Sequence, residues 1–440
     1  MEKLAYLGGE KIKKVEAPSD IYKWPIITDE DKAAIMDVVE RNAYSKTDIT
    51  EAFEKEFAEW LGAKHCIAAC NGTMALFAAM FGVGLGAGDE IICTTKTYWA
   101  SCLSSQLLGA SVVFANIDPE TLSIDPKDLE RCLSPRTKAI MVVHYMAYPA
   151  DMDPIMEFAK KHNLKVIEDV SHAQGGFYKG RRLGTIGDVG AMSLMSGKSF
   201  AAGELGALVT DNVEIYERAL AFTHYERNDL KHITETEYLK PFVGLPLSGL
   251  KGRVNQTCSA MARVQLKYYD ERTAEIRRAM NYFFDQLEGL PGIHPVRVDE
   301  STGSNMAGWY IPAVTYRAEE LGGLDVNVFC AAVRAEIGIH ISIGGNFPLH
   351  NHKMFKDFDL TNIGKPTRIA FADRDVRETD SALAPSEKVM MLGVPWFKKF
   401  YPEYIDYIAA GFRKVALNAD QLLDQTAEEK SSGRWFGTEN

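Results

Sequence analysis

The sequence predicts an α/β fold with a mainly parallel sheet sandwiched by helices, followed by a smaller C-terminal α/β domain. From about residue 66 to residue 212, short β-rich segments alternate with amphipathic helical stretches. Such alternation is typical of a parallel sheet that is covered on both faces. The chain has 440 residues and 46% hydrophobic content, which is enough for a large core and two domains.

Seven segments have the composition of buried strands. In chain order they are CIAAC (66–70), DEIICTT (89–95), SVVFANI (111–117), TKAIMVVHY (137–145), LKVIEDV (164–170), GAMSLMS (190–196) and GALVTDN (206–212). Between several of them, apolar residues recur at helical spacing, as in DPKDLERCL and DPIMEFAKKHN. We expect these strands to form one sheet.

The character of the sequence changes after about residue 260. A long helical pattern, CSAMARVQLKYYDERTAEIRRAMNYFFDQLEGL, leads into mixed α/β sequence that ends in a helix near EYIDYIAAGFRKVALNADQLL. We therefore predict an N-terminal arm (1–30), a large domain (31–260) and a small C-terminal domain (261–440). The tail TAEEKSSGRWFGTEN is expected to be loosely ordered.

Composition and charge argue against several function classes. The formal net charge is −11, whereas a nucleic-acid-binding protein would need a basic face. The most apolar long stretch, Met74–Gly88, is too short and too rich in glycine to span a membrane. The seven cysteines show no CxxC spacing, and MEKLAYLGGEKIKK lacks the apolar core of a signal peptide. We expect a cytoplasmic protein with reduced thiols.

Two motifs give only weak evidence for a binding site. GVGLGAG (82–88) follows a helix and precedes a strand, the reverse of a dinucleotide-binding fingerprint, so it is interpreted as a helix end and turn. His350 and His352 in PLHNH have no HExxH or Cys/His set beside them. We therefore predict no metal site.

Three other segments contain residues that could act in binding or catalysis. For each of them a purely structural role is the alternative. CNGTMALFAAM places Asn71, Gly72 and Thr73 between a strand and a helix, where free backbone N–H groups suit a phosphate, although a plain helix cap fits equally. LKVIEDVSHAQG ends a strand with Asp169, which requires a positive partner or is a capping residue. SLMSGKSFAAGELGALVTDN holds Lys198 among small residues, either as a nucleophile or as an exposed loop lysine.

Taken together, the three segments predict pyridoxal 5′-phosphate (PLP) as cofactor. Its aldehyde takes a lysine, its pyridine nitrogen takes a carboxylate, and its phosphate takes a helix N-terminus. The chain supplies these in the order phosphate turn, Asp169, Lys198. This is the order in the large domain of fold-type I PLP-dependent transferases.

The chain resembles the DegT/DnrJ/StrS-type aminotransferases, which aminate keto-sugars and keto-cyclitols. The resemblance extends from about residue 25 to beyond residue 355. It is carried by NGTMAL, GAGDEIICTTKTYWAS, GASVVFANIDPETLSIDP, HYMAYPADMD, FPLHNHKMF and, most specifically, KVIEDVSHAQGGFYKGRRLGTIGDVGAMSLMSGKSFAAGELGALVTDN.

The resemblance implies a role for each matching residue. Lys198 would bond covalently to the cofactor and move protons, and Asp169 would pair with the pyridinium nitrogen. The other implied cofactor contacts are His172 at the ring hydroxyl, Tyr98 on the ring face, Gly72, Thr73 and Ser193 at the phosphate, and Lys251 from the neighbouring subunit of a homodimer with shared active sites.

Two positions depart from the family pattern. Lys251 in GLKGR replaces an asparagine that usually reaches the neighbouring subunit's phosphate, and a lysine could still serve there as a point charge. GELG replaces the usual GEGG, so that Leu205 crowds a position normally held by glycine. Both departures suggest an unusual substrate branch.

The expected function is transfer of an amino group from glutamate or glutamine to a ketone, in aminosugar or aminocyclitol biosynthesis. A pyridoxamine-dependent sugar dehydratase would have histidine in place of Lys198, and a non-catalytic PLP-binding regulator would usually carry an added domain. The opening LAYLGGEKIKK and YKWPIITDED resemble the keto-cyclitol branch, which includes glutamine:scyllo-inosose aminotransferases. Nucleotide-linked keto-sugars and an eight-carbon keto-acid sugar stay open as acceptors.

Overall fold

The structure is a computed structural model that describes residues 2–427. Most of the tail that the sequence predicts to be loosely ordered lies outside the described residues. The α-helices are α1 (Asp29–Glu40), α2 (Asp48–Leu61), α3 (Gly72–Gly82), α4 (Leu129–Cys132), α5 (Met152–His162), α6 (Val213–Thr223), α7 (Gln256–Leu287), α8 (Val326–Ile337), α9 (Lys353–Lys356), α10 (Ala384–Glu387) and α11 (Pro402–Ala416). The strands are β1 (His65–Ala69), β2 (Glu90–Thr94), β3 (Ser111–Ala115), β4 (Thr137–Val143), β5 (Lys165–Asp169), β6 (Phe177–Tyr178), β7 (Arg181–Arg182), β8 (Val189–Ser193), β9 (Gly206–Thr210), β10 (Ile293–Pro295), β11 (Ala313–Tyr316), β12 (Ser342–Ile343) and β13 (Met390–Gly393).

The large sheet has seven strands in the order β1-β9-β8-β5-β4-β2-β3. Neighbours from β8 through β5, β4 and β2 to β3 are parallel, whereas β9 runs antiparallel to both β8 and β1. The predicted fold class, a mainly parallel sheet between helices, is confirmed.

Alternate residues of each strand enter opposite cores. In β2, Ile91 packs with α3 and α6, whereas Ile92 packs with α2 and α5. Because both faces are covered, the central strands are continuously apolar, and this composition is what makes them recognisable in the sequence.

One predicted helix is shorter than its pattern suggests. DPKDLERCL forms a 3₁₀ turn at Pro126–Asp128 and then the single turn of α4. The side chain of Asp125 accepts a hydrogen bond from the backbone of Lys127 and starts the 3₁₀ turn. Between β2 and β3 the connection consists of 3₁₀ turns.

The C-terminal part has its own core. A four-stranded antiparallel sheet, β10-β11-β13-β12, packs with α7, α8 and α11. Leu4 and Ile21 of the N-terminal segment are buried in the same core. The residue limits of the arm and the two domains stay a prediction. Within residues 2–427, no helix combines the length and the apolar character that a membrane crossing needs.

Candidate active site

The first turn of α3 forms a tight contact with the end of β8. Asn71 caps the helix by accepting a hydrogen bond from the Met74 backbone N–H at 2.9 Å. A Cβ added to Gly72 would lie 2.6 Å from Ser193 Cβ and 2.7 Å from Ser193 Cα. Glycine is therefore required for the turn to approach Ser193. N–H groups in a first helical turn lack intrahelical partners, so this cradle can receive an anion.

Asp169 lies at the C-terminal end of β5, directly beside β8. It is 4% exposed, and its carboxylate accepts hydrogen bonds from Ser101 Oγ at 2.7 Å and from the Ser171 backbone N–H at 3.0 Å. Among residues 2–427, no basic side chain forms an ion pair with it. A buried carboxylate without a cation carries a desolvation cost, and a cationic ligand group would offset that cost.

Glu168, the neighbour of Asp169, points to the opposite side of the sheet, where its hydrogen bonds stabilise the fold. Its carboxylate accepts hydrogen bonds from three backbone N–H groups, those of Gly184, Ile186 and Gly187, and contacts His144 Nε2 at 3.0 Å. Burial raises the pKa of this carboxyl, but these hydrogen bonds, led by His144, outweigh burial and lower it overall. Glu168 is thus fully satisfied within the protein.

Lys198 lies in the loop between β8 and β9. Its backbone carbonyl accepts a hydrogen bond from Trp24 Nε1 at 3.0 Å, and its amine lies 4.3 Å from the centroid of the Tyr310 ring. Burial lowers the pKa of the amine to about 8, while the charge of Asp169 opposes that shift. A substantial fraction of the amine is therefore neutral near physiological pH, as a nucleophile or a base requires.

A hydrogen-bond network fixes the loop on both sides of Lys198. Gln174 Nε2 donates to the carbonyl of Ser193 at 2.6 Å, and Gln174 Oε1 accepts from Ser199 Oγ at 2.7 Å. Tyr269 on α7 also contacts Ser199 Oγ at 2.9 Å and donates to the Gln174 carbonyl at 2.8 Å. The residue after Lys198 is thereby tied to the end of β8.

His172 lies between two aromatic rings. Its ring centroid is 5.4 Å from that of Tyr145 and 4.8 Å from that of Tyr310. Burial, and secondly the charge of Lys198, lower the pKa of His172 well below its ordinary value. Its Nδ1 accepts a hydrogen bond from the Met146 N–H at 3.3 Å. The neutral ring therefore carries its proton on Nε2, where it can donate to a ligand oxygen.

The structure places four further residues that the sequence analysis singled out, and these differ in burial. Tyr98 is half-buried and precedes the 3₁₀ turn that carries Ser101. Thr73 follows Gly72 in the first turn of α3. Lys251 is exposed, with its amine 5.6 Å from the centroid of the Tyr225 ring. Leu205 is fully buried in the core on the α2 side of the sheet.

The two histidines of PLHNH serve the fold. His350 Nδ1 contacts Thr95 Oγ1 at 2.6 Å, and its Nε2 contacts Glu387 Oε1 at 2.9 Å. His352 caps the short helix α9 by accepting a hydrogen bond from the Met354 backbone. No group of three or more potential metal-ligating side chains occurs within residues 2–427.

These residues fit PLP. The cradle of Gly72 and Ser193 suits its phosphate, the carboxylate of Asp169 suits its pyridinium nitrogen, and the amine of Lys198 suits its aldehyde.

Sequence reasoning missed three residues of this site. Ser101 holds the Asp169 carboxylate, Trp24 holds the backbone of Lys198, and Tyr310 lies under its amine. A serine close to Tyr98 in TYWAS was a weak signal for Ser101. Trp24 and Tyr310 lie more than a hundred residues from Lys198 in the chain, and no local pattern connects them with it.

A lysine amine, a buried carboxylate and a helix N-terminus at one edge of an α/β sheet are the groups that a PLP-dependent transferase requires. The chain belongs to the DegT/DnrJ/EryC1/StrS aminotransferase family, whose sequence profile matches residues 25–372. It is accordingly a PLP-dependent aminotransferase.

Two sequence relatives and one solved structure illustrate the similarity. The chain is 30% identical over 403 residues to the spore coat polysaccharide biosynthesis protein SpsC of Bacillus subtilis (strain 168), covering 91% of this chain and 97% of that protein. It is 30% identical over 430 residues to an L-glutamine:2-deoxy-scyllo-inosose aminotransferase of Micromonospora echinospora. This match covers 92% of this chain and 99% of that protein. The X-ray structure of an aminotransferase from Psychrobacter cryohalolentis matches with a TM-score of 0.74 at 26% identity, covering 90% and 99%.

Proposed function

We propose that this enzyme moves the amino group of glutamate or glutamine to the ketone of a cyclitol or sugar, in aminocyclitol or aminosugar biosynthesis. The observation that carries the proposal is a half-buried lysine, Lys198, whose amine lies within electrostatic range of the buried carboxylate of Asp169 at the C-terminal edge of one sheet. Similarity to a glutamine-dependent inosose aminotransferase along nearly the whole chain supports the choice of donor and acceptor.

Asp169 and Lys198 have different roles in the proposed reaction. When bound, PLP supplies an electron sink for negative charge that develops on the donor's α-carbon. The Asp169 carboxylate, fixed by Ser101, would keep a proton on the pyridine nitrogen. Lys198 Nζ, with its lowered pKa, takes the proton from the α-carbon and later returns a proton to the product.

His172 and the cradle at α3 would hold the cofactor. With its proton on Nε2, His172 could donate a hydrogen bond to the ring oxygen of the cofactor without adding a charge. Gly72, Thr73 and Ser193 would bind the phosphate through backbone N–H groups and hydroxyls. Tyr98 would contact the cofactor ring.

The two half-reactions test this function separately. The protein loaded with PLP is mixed with glutamate or glutamine, and conversion to the amino form of the cofactor is followed by absorbance. The amino form is then mixed with scyllo-inosose or with a nucleotide-linked keto-sugar, and the aminated product is identified by mass. Failure of both donors, or of every ketone, would refute the proposal.

We propose further that two copies of the chain share their active sites. The segment from residue 225 to residue 247 exposes several large apolar side chains, and Leu230 is 68% exposed. Exposed apolar patches of this kind mark interaction surfaces. The patch leads directly to Lys251, whose neighbour Gly252 accepts a hydrogen bond from the Cys70 N–H at the phosphate turn. A partner's Lys251 would supply a cationic bond to the phosphate.

Sedimentation of the PLP-loaded enzyme at micromolar concentration tests the shared sites. We expect a dimer that loosens when the cofactor is removed, because a ligand bound across an interface stabilises the assembly. Lys251→Ala should weaken retention of the cofactor. A fully active monomer would show that each site is complete within one chain.

A further inference from the structure

Lys398 is a buried lysine whose amine has no hydrogen-bond acceptor among residues 2–427. It is 4% exposed, and it lies between two partly exposed indole rings. The amine packs directly on the ring of Trp396 and lies 5.5 Å from the centroid of Trp24. Burial lowers the pKa of this amine to about 5. Within the described part of the chain, no carboxylate pairs with this lysine.

The same aromatic rings connect Lys398 to the reacting lysine. Trp24 donates its indole N–H to the carbonyl of Lys198. Trp396 meets Tyr310 edge-on, with centroids 5.5 Å apart, and Tyr310 lies 4.3 Å from the amine of Lys198. The rings of Trp396 and Tyr310 therefore lie between Lys398 and the reacting amine.

A buried, unpaired amine has a desolvation cost that a hydrophobic residue of similar length would avoid. An anion that enters between the rings would favour uptake of a proton from solvent by the neutral amine, and the resulting ammonium would pair with the anion with water excluded from the pair. Charge-assisted hydrogen bonds of this kind are among the stronger ones in proteins.

We propose that Lys398 binds an anionic group, a carboxylate or a phosphate, that a substrate carries away from its reacting atoms. This inference rests on the proposed function, which supplies two sources for the anion. The side-chain carboxylate of glutamate is one source, and the diphosphate of a nucleotide-linked keto-sugar is the other.

The neighbouring lysine provides a matched control. Lys399 is the adjacent lysine, but its side chain is 34% exposed and its amine lies 3.7 Å from Glu275. Lys399→Met and Lys398→Met therefore make the same chemical change at adjacent positions. Methionine retains the apolar packing of the stem, and Lys398→Arg retains a cationic group that can pair with an anion.

The test is calorimetric titration of the PLP-loaded enzyme with two pairs of non-reacting probes. Glutarate is compared with glutaramate, which lacks one of the two charges, and thymidine 5′-diphosphate is compared with thymidine. The quantity measured is the anion preference, the ratio of affinities within each pair. A change in packing alone would weaken both members of a pair and leave this ratio unchanged.

We expect the wild-type enzyme to prefer the anion in one pair, and that pair identifies the source. Lys398→Met should reduce this preference by about tenfold or more, as expected for loss of a charged hydrogen bond. Lys399→Met should retain it, and Lys398→Arg should retain part of it. Equal preference in Lys398→Met and the wild type, or no preference in the wild type, would overturn the proposal. Amine transfer by the wild type is measured independently, so failure of this inference leaves the proposed function standing.

Discussion

Gly72→Ala should damage the cofactor site although alanine is the better helix former. The new Cβ would lie 2.6 Å from Ser193 Cβ and 2.8 Å from Ser193 N. Carbon atoms approach to about 3.5 Å at their optimal separation, so the turn and β8 must separate by roughly 1 Å. Both halves of the proposed phosphate cradle then move apart.

The magnitudes follow from this displacement. Overpacking costs about 1–3 kcal/mol, whereas replacing glycine within a helix gains about 0.5–1 kcal/mol. The free energy of unfolding of the cofactor-free protein should therefore fall by up to about 2.5 kcal/mol. Loss of a hydrogen bond to the charged phosphate should weaken PLP binding by about tenfold or more.

Cofactor titration and chemical denaturation measure the two effects. Gly86→Ala is the control, because its Cβ would lie 3.9 Å from the nearest side-chain atom, Asp89 Oδ2, and should change neither quantity. If the Gly72→Ala variant binds PLP with an affinity within twofold of the wild-type value, the reasoning is refuted.

Three further predictions concern the groups around the reacting amine. Asp169→Asn should fold normally but lose at least about a hundredfold in turnover, because an amide cannot hold the pyridinium proton; a near-normal rate would contradict this. Ser101→Ala removes the 2.7 Å hydrogen bond to that carboxylate and should lower turnover about tenfold, with recovery in Ser101→Thr. The rate at which the cofactor-free protein takes up PLP should rise with pH and level off above the Lys198 pKa of about 8, since the neutral amine reacts. A rate that still rises toward pH 10 would indicate an unperturbed lysine.

The strands were predictable because burial on both faces makes each of them a short apolar segment. The observed β4 (Thr137–Val143) and β8 (Val189–Ser193) lie within or close to the predicted segments. The reversed direction of β9 was not predicted, because composition does not encode strand direction.

The site was predictable where its residues follow strands of the sheet. Asp169, His172 and Lys198 each lie in a segment that local pattern and family resemblance identify. Trp24, Tyr310 and Lys398 come from the N-terminal segment and the C-terminal part, and only tertiary packing brings them to Lys198. Sequence spacing carries no signal for such contacts.

Borohydride reduction of the PLP-loaded enzyme, followed by peptide mapping, tests the central claim most directly. The reduction makes the link between an amine and the cofactor aldehyde permanent. We predict a cofactor adduct on Lys198 and its loss in Lys198→Ala, together with loss of turnover by several orders of magnitude. An adduct on another lysine, or none in the PLP-loaded wild-type protein, would contradict the assignment of Lys198 as the reacting residue.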